Sequence, residues 1–127
     1  MVTFFTVLDA ILWCCEVQIR LLEAEWSEEF LTMPSAQKQT IINPITQQEV
    51  IIFNGIRIRM GIHTGFPNRR RNPVTGRMDY FGPVVNRSAR VSDTGHGGQI
   101  VATQEVIDQL FEKGKIDNNR NMDEMLK

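Results

Sequence analysis

Between Leu8 and Trp26 the apolar residues Leu8, Ile11, Leu12, Cys15, Ile19, Leu22 and Trp26 recur at three- and four-residue steps. That spacing puts them on one side of an α-helix, while Glu16, Gln18, Arg20, Glu23 and Glu25 fall mostly on the other. A helix with one apolar stripe is stable only when a second layer covers the stripe, so the rest of the chain must supply that layer. Thr6 stands where an N-cap belongs, with Asp9 three residues on, a variant of the capping box. The predicted helix ends near Trp26. Ahead of it, Met1 to Phe5 (Met-Val-Thr-Phe-Phe) is a β-favouring run and reads as a short strand.

The covering layer is legible further along. Val50 to Phe53, Asn54-Gly55 and Ile56 to His63 read as a hairpin, because Asn-Gly suits a two-residue type I′ turn. In its second arm Ile56, Ile58, Met60 and Ile62 alternate with Arg57, Arg59, Gly61 and His63, the period of a half-buried strand. Ser27 to Gln48 is polar, carries Pro34 and Pro44, and reads as a long connection with one helical turn around Glu28 to Leu31. Phe66 to Gly76 reads as a turn region and Arg77 to Phe81 as the strand returning from it. Gly82-Pro83 opens a helix that continues through Ser92, since proline suits the first helical position. Gln99 to Ala102 reads as a strand, and Thr103 as the cap of a helix reaching about Glu112, with Gly114 just past it. The pattern contains no repeats and is that of an α/β (α+β) layered fold. Residues 1–112 form the domain, and 113–127 read as a polar, disordered tail.

Composition narrows the function classes. The chain has 127 residues, 14 Lys+Arg against 15 Asp+Glu, and a formal net charge of -1, so nothing draws it to nucleic acid regardless of sequence. No segment approaches the roughly 20 apolar residues of a membrane span, and no basic-then-apolar leader opens the chain. Cys14 and Cys15 are adjacent and read as helix packing, neither a disulfide framework nor a zinc site. The expected setting is reducing and cytoplasmic.

Three polar residues stand out between Arg57 and Gly98. Asp79 lies on a strand among Met78, Tyr80 and Phe81, while Asn86 and Arg90, four apart, share a face of the following helix. Taken singly, Asp79 would be a strand-end aspartate in a turn and the other two a solvated helix face. Together, a carboxylate, an amide and a guanidinium near a helix N-terminus could read a base and hold phosphate. Arg69, Arg70 and Arg71 read as a solvated hairpin tip, with contact to substrate phosphates the sharper alternative. His63 reads as structural, and Met60, Met78 and Phe81 as core or dimer-interface residues.

The phrases Arg59-Met60-Gly61-Ile62-His63-Thr64-Gly65, Met78-Asp79-Tyr80-Phe81-Gly82-Pro83-Val84-Val85-Asn86-Arg87-Ser88-Ala89-Arg90-Val91 and Gly97-Gly98-Gln99-Ile100 occur in that order. So arranged, the chain from Met1 to Phe111 resembles the class III adenylyl cyclases, above all the large fungal-type enzymes. In those, Leu21-Leu22-Glu23-Ala24-Glu25-Trp26 is similar to the phrase closing the preceding helix.

The resemblance implies a ferredoxin-like catalytic domain that converts ATP to cyclic AMP and pyrophosphate with two Mg²⁺ or Mn²⁺ ions. Its active site would form with a second cyclase domain, a homodimer mate or a complementing domain. By position, Asp79 matches the residue that reads the purine, Asn86 the asparagine that orients the ribose, and Arg90 the arginine on phosphate. Guanylyl cyclases place a cysteine at the position of Asp79, so Asp79 implies ATP over GTP. The family's two metal-binding aspartates and its purine-reading lysine match nothing here and are expected upstream of Met1. The resemblance therefore implies a partial domain without its first strands, inactive and poorly folded alone, with any peripheral membrane association residing in regions beyond it. Two rivals stand beside the enzyme: a non-catalytic or complementing partner of a complete cyclase domain, and a truncated, inactive gene product.

Overall fold

The structure, a computed structural model, describes residues 1–112. Helix α1 spans Val7–Glu23 and begins where its cap requires: the Asp9 backbone N–H donates to Thr6 Oγ1 at 3.1 Å, and the Thr6 hydroxyl donates to Asp9 Oδ2 at 2.7 Å. It stops three residues short of Trp26. The Trp26 indole N–H turns back to the Leu21 carbonyl at 3.2 Å, and its ring stacks on Phe30, 5.2 Å between centroids. The short helix α2, Glu28–Leu31, falls on the expected turn, with Ser27 accepting from the Phe30 N–H at 3.2 Å.

Among the described residues six strands follow in three two-stranded sheets. Strands β1 (Gln39–Ile42) and β2 (Glu49–Phe53) form an antiparallel hairpin. Strands β4 (Asn68–Arg71) and β5 (Met78–Phe81) form a second one, and β3 (Met60–Ile62) pairs in parallel with β6 (Ile100–Ala102). Helix α3, Pro83–Asp93, crosses from β5 toward β6 and packs on β3. A further helical stretch, α4, covers residues 104–112 of the described chain. This is a mixed α+β domain. The expected disordered tail, 113–127, lies outside the described residues.

The core is small. Ala10 and Cys14 of α1, Ile62 of β3 and Val106 of α4 are buried together, with Val7, Ile11, Met60, Ile100 and Ala102 against them. The α1 face that is buried is thus Val7, Ala10, Ile11 and Cys14, rotated from the stripe read in the sequence. Leu8, Leu12, Cys15 and Ile19 of that stripe are exposed. The reason is the placement of the second layer, since β3 and α4 meet the helix along the Ala10–Cys14 edge. Burial pushes the Cys14 thiol above its ordinary pKa, with Cys15 adding to it, so this cysteine is a packing residue.

Other expectations change. Met1 to Phe5 is not a strand, because among the described residues nothing pairs with it; instead the Phe4 ring meets Trp13 at 5.7 Å between centroids. Asn54-Gly55 does not turn a hairpin. The Asn54 amide donates to the carbonyls of Leu22 (2.9 Å) and Ala24 (3.3 Å) past the end of α1, and the Gly55 N–H donates to Ala36 at 3.0 Å under the Trp26 ring. Strand β2 takes β1 as its partner, out of a segment that read as structureless. The strand expected over Ile56 to His63 contracts to β3, since the Ile58 carbonyl already accepts from Gln18 Nε2 (2.7 Å) and the Gly98 N–H (3.0 Å). Arg69 to Arg71 lie in β4 itself, exposed, and not at the tip.

Candidate active site

Helix α3 is placed by a close approach. Gly61 of β3 lies against the backbone of Ser92, where any β-carbon would collide. Val84, Val85, Ser88, Val91 and Ser92 face inward, half-buried, leaving Asn86, Arg87 and Arg90 exposed.

These three line one side of a cleft of about 670 Å³, whose other wall is Val101, Ala102 and Thr103 at the end of β6. Asn86 and Arg90 stand one helical turn apart on that wall. Neither side chain makes a hydrogen bond or ion pair among the described residues. Arg87, by contrast, reaches Glu105 at 3.3 Å and ties α3 to α4. The Glu105 carboxyl is held below its ordinary pKa, first by its own backbone N–H. Partial desolvation opposes this, and Arg87, the Thr103 hydroxyl and His63 add to it. His63, expected to be structural, sits 3.0 Å by Nδ1 from Thr103 Oγ1 at the foot of the cleft.

Asp79 is elsewhere. It lies exposed on β5, opposite Arg70, and is not among the residues lining the cleft. The Asn72 amide donates to its Oδ2 at 3.0 Å. The structure therefore brings two of the three expected site residues together and sets the third on the neighbouring hairpin, four residues before the first residue of α3. Sequence reasoning missed Arg87, Thr103 and Asn72 as neighbours of the site. Arg87 sits inside the quoted helical phrase, but nothing in the spacing distinguished it from a solvated arginine.

Among the described residues, no three His, Cys, Asp or Glu side chains are grouped to hold a metal ion. Asp9 is engaged in the cap by Thr6. No described helix is long and apolar enough to cross a membrane.

An adenylate cyclase of Mycosarcoma maydis is 44% identical over 110 residues, 87% of this chain and 4% of the relative. One of Neurospora crassa is 42% identical over 111 residues, again 87% of this chain and 5% of the relative. One of Schizosaccharomyces pombe is 37% identical over 128 residues, 98% of this chain and 7% of the relative. The chain thus spans a small fraction of the length of these relatives. No solved structure matches it significantly. The model of the adenylate and guanylate cyclase catalytic domain matches residues 2–126, a span that takes in α1, all three strand pairs and the α3 cleft, and the chain belongs to that family.

Proposed function

We propose that this chain contributes the base-reading and transition-state side of an adenylate cyclase site, where ATP becomes 3′,5′-cyclic AMP and pyrophosphate. The observation that carries the reading is Asn86 and Arg90, one turn apart on one cleft wall, with both side chains unengaged among the described residues. In the reaction the ribose 3′-hydroxyl gives up its proton to solvent as its oxygen bonds to the α-phosphorus, and the bond from that phosphorus to the pyrophosphate oxygen breaks. Negative charge grows on the phosphate oxygens as it does so. Arg90 offers a permanently charged fork of donors for that charge. Asn86 offers a donor and an acceptor on one amide, suited to fixing the ribose so that its 3′-oxygen lies in line. Asp79 accepts from the adenine 6-amino group and would set acceptor against acceptor at the guanine 6-oxo group. The base would then be read from β5, outside the residues that line the cleft.

Domains of this family use divalent metal ions, which neutralise phosphate charge and activate the attacking oxygen. The described residues do not fit such a site, so Mg²⁺ or Mn²⁺ would be held by groups outside them. The family works as dimers on ATP. In the proposed assembly the other half of the site comes from a second cyclase domain, a second copy or a complementing one.

The test is cyclic AMP formation by the gene product, wild type against Asn86→Ala. Loss of a positioned transition-state contact lowers turnover about 100-fold or more. Equal activity in the two proteins would overturn the proposal.

A further inference from the structure

The turns closing the two antiparallel hairpins share a sequence pattern: Asn43-Pro44-Ile45-Thr46-Gln47-Gln48 in one and Asn72-Pro73-Val74-Thr75-Gly76-Arg77 in the other. They share a hydrogen-bond pattern too. In each, the asparagine N–H donates to the carbonyl five residues on at 2.8 Å, and its carbonyl accepts from the N–H four residues on, at 2.8 Å and 2.9 Å respectively. Its Oδ1 accepts from the second and third following N–H groups, at 2.9 and 3.3 Å in the first turn and 2.9 and 3.2 Å in the second. Gln47 (φ 58°) and Gly76 (φ 68°) take the same left-handed position.

With Oδ1 held by two N–H groups, the orientation of the asparagine amide is fixed and its Nδ2 is a donor the turn does not use. At Asn43 that donor meets no acceptor among the described residues. At Asn72 it meets Asp79 Oδ2 at 3.0 Å. Arg70 stands directly across the ladder from Asp79, on the same face of the hairpin, yet the described ion pairs do not include it. A forked guanidinium would take both carboxylate oxygens. A neutral amide takes one, leaves the charge intact, and leaves Oδ1 to accept from something else.

We propose that Asn72 is a positioning residue that holds Asp79 with Oδ1 presented to the purine, and so sets the preference for adenine over guanine. The proposal rests on reading Asp79 as the purine-facing carboxylate. Untied, the exposed Asp79 side chain would sample other rotamers and pair with Arg70.

The test compares kcat/KM for ATP and for GTP in the gene product carrying Asn72→Asp, Asn43→Asp or Asp79→Ala. Both asparagine variants keep the side-chain oxygen that the turn needs; only Asn72→Asp removes a donor from Asp79 and sets two carboxylates face to face. The ATP-to-GTP ratio is expected to fall about tenfold in Asn72→Asp, the scale of one hydrogen bond to a charged group, and to hold in Asn43→Asp. A ratio unchanged in Asn72→Asp but collapsed in Asp79→Ala overturns the role of Asn72 alone. A ratio unchanged in Asp79→Ala overturns the reading of Asp79 beneath it. A second measurement needs no folded Asn72 variant: Asp79→Ala should displace the side-chain amide NMR signals of Asn72 and leave those of Asn43 in place. Unmoved Asn72 signals would show that the tie does not exist.

Discussion

Gly61 of β3 lies directly beneath the backbone of Ser92 on α3, close enough that a β-carbon has no room. Because Asn86 and Arg90 ride on the opposite side of the same helix, this approach sets how far the cleft wall stands from β6. A side chain at position 61 must push α3 away or shift β3, and overpacking of this kind costs about 1–3 kcal/mol. Gly61→Val is therefore expected to lower the urea midpoint of unfolding and to reduce cyclic AMP formation together. An unchanged midpoint would mean that α3 is not seated on Gly61.

Arg90→Lys keeps the charge but loses the planar fork. If Arg90 meets charge that grows only in the transition state, kcat should fall about 100-fold while KM for ATP moves little. Steady-state kinetics on the gene product check this. A rise in KM at constant kcat would instead make Arg90 a uniform binder of ground-state phosphate.

How much of this was legible in the sequence depends on where each residue's partner lies. Local signals read well: the Thr6 cap, the α2 turn after Ser27, and the proline-opened α3 all depend on neighbours within four residues. Asn54-Gly55 read as a hairpin because its dipeptide chemistry is local, but the Asn54 amide is committed to carbonyls thirty or so residues back, and no pattern announces that. The β1–β2 hairpin carries a local signal that corrects the reading of no repeats. Asn43-Pro44-Ile45-Thr46 repeats as Asn72-Pro73-Val74-Thr75, and the same turn closes both. The rotation of the α1 buried face could not be read, since Leu8, Leu12 and Ile19 are as apolar as Val7, Ile11 and Cys14. Which side is covered is decided by β3 and α4. At the site, Asn86 and Arg90 were legible as an i, i+4 pair. The separation of Asp79 from their cleft was not, because it follows from hairpin placement and not from spacing.

Ile62 is the strand residue in the core, buried with Ala10, Cys14 and Val106. Ile62→Ala leaves a void between α1 and α4 that so few neighbours cannot refill. The expected loss is about 2 kcal/mol, the low end for such truncations because the layer is thin. Denaturant unfolding measures it, and a loss within error of zero would show that β3 does not carry the core.

The Arg87–Glu105 pair gives a pH signature. Glu105 has its pKa lowered in the fold, first by its own backbone N–H and then by Arg87, with the Thr103 hydroxyl and His63 adding to it. A group with a depressed folded pKa stabilises the fold above its unfolded value, about 4.3 for glutamate, and that contribution fades as pH falls through the lower folded value. Glu105→Gln should therefore lower the thermal midpoint at neutral pH by a constant amount, and the gap to wild type should close as the pH falls below about 4.3. The pair is exposed on both sides, so the gap is small and shrinks further with added salt. Melting curves across that pH range, at low and high salt, measure it. A gap that widened in acid would mean that the neutral carboxylic acid, not the carboxylate, is the form the fold prefers at position 105.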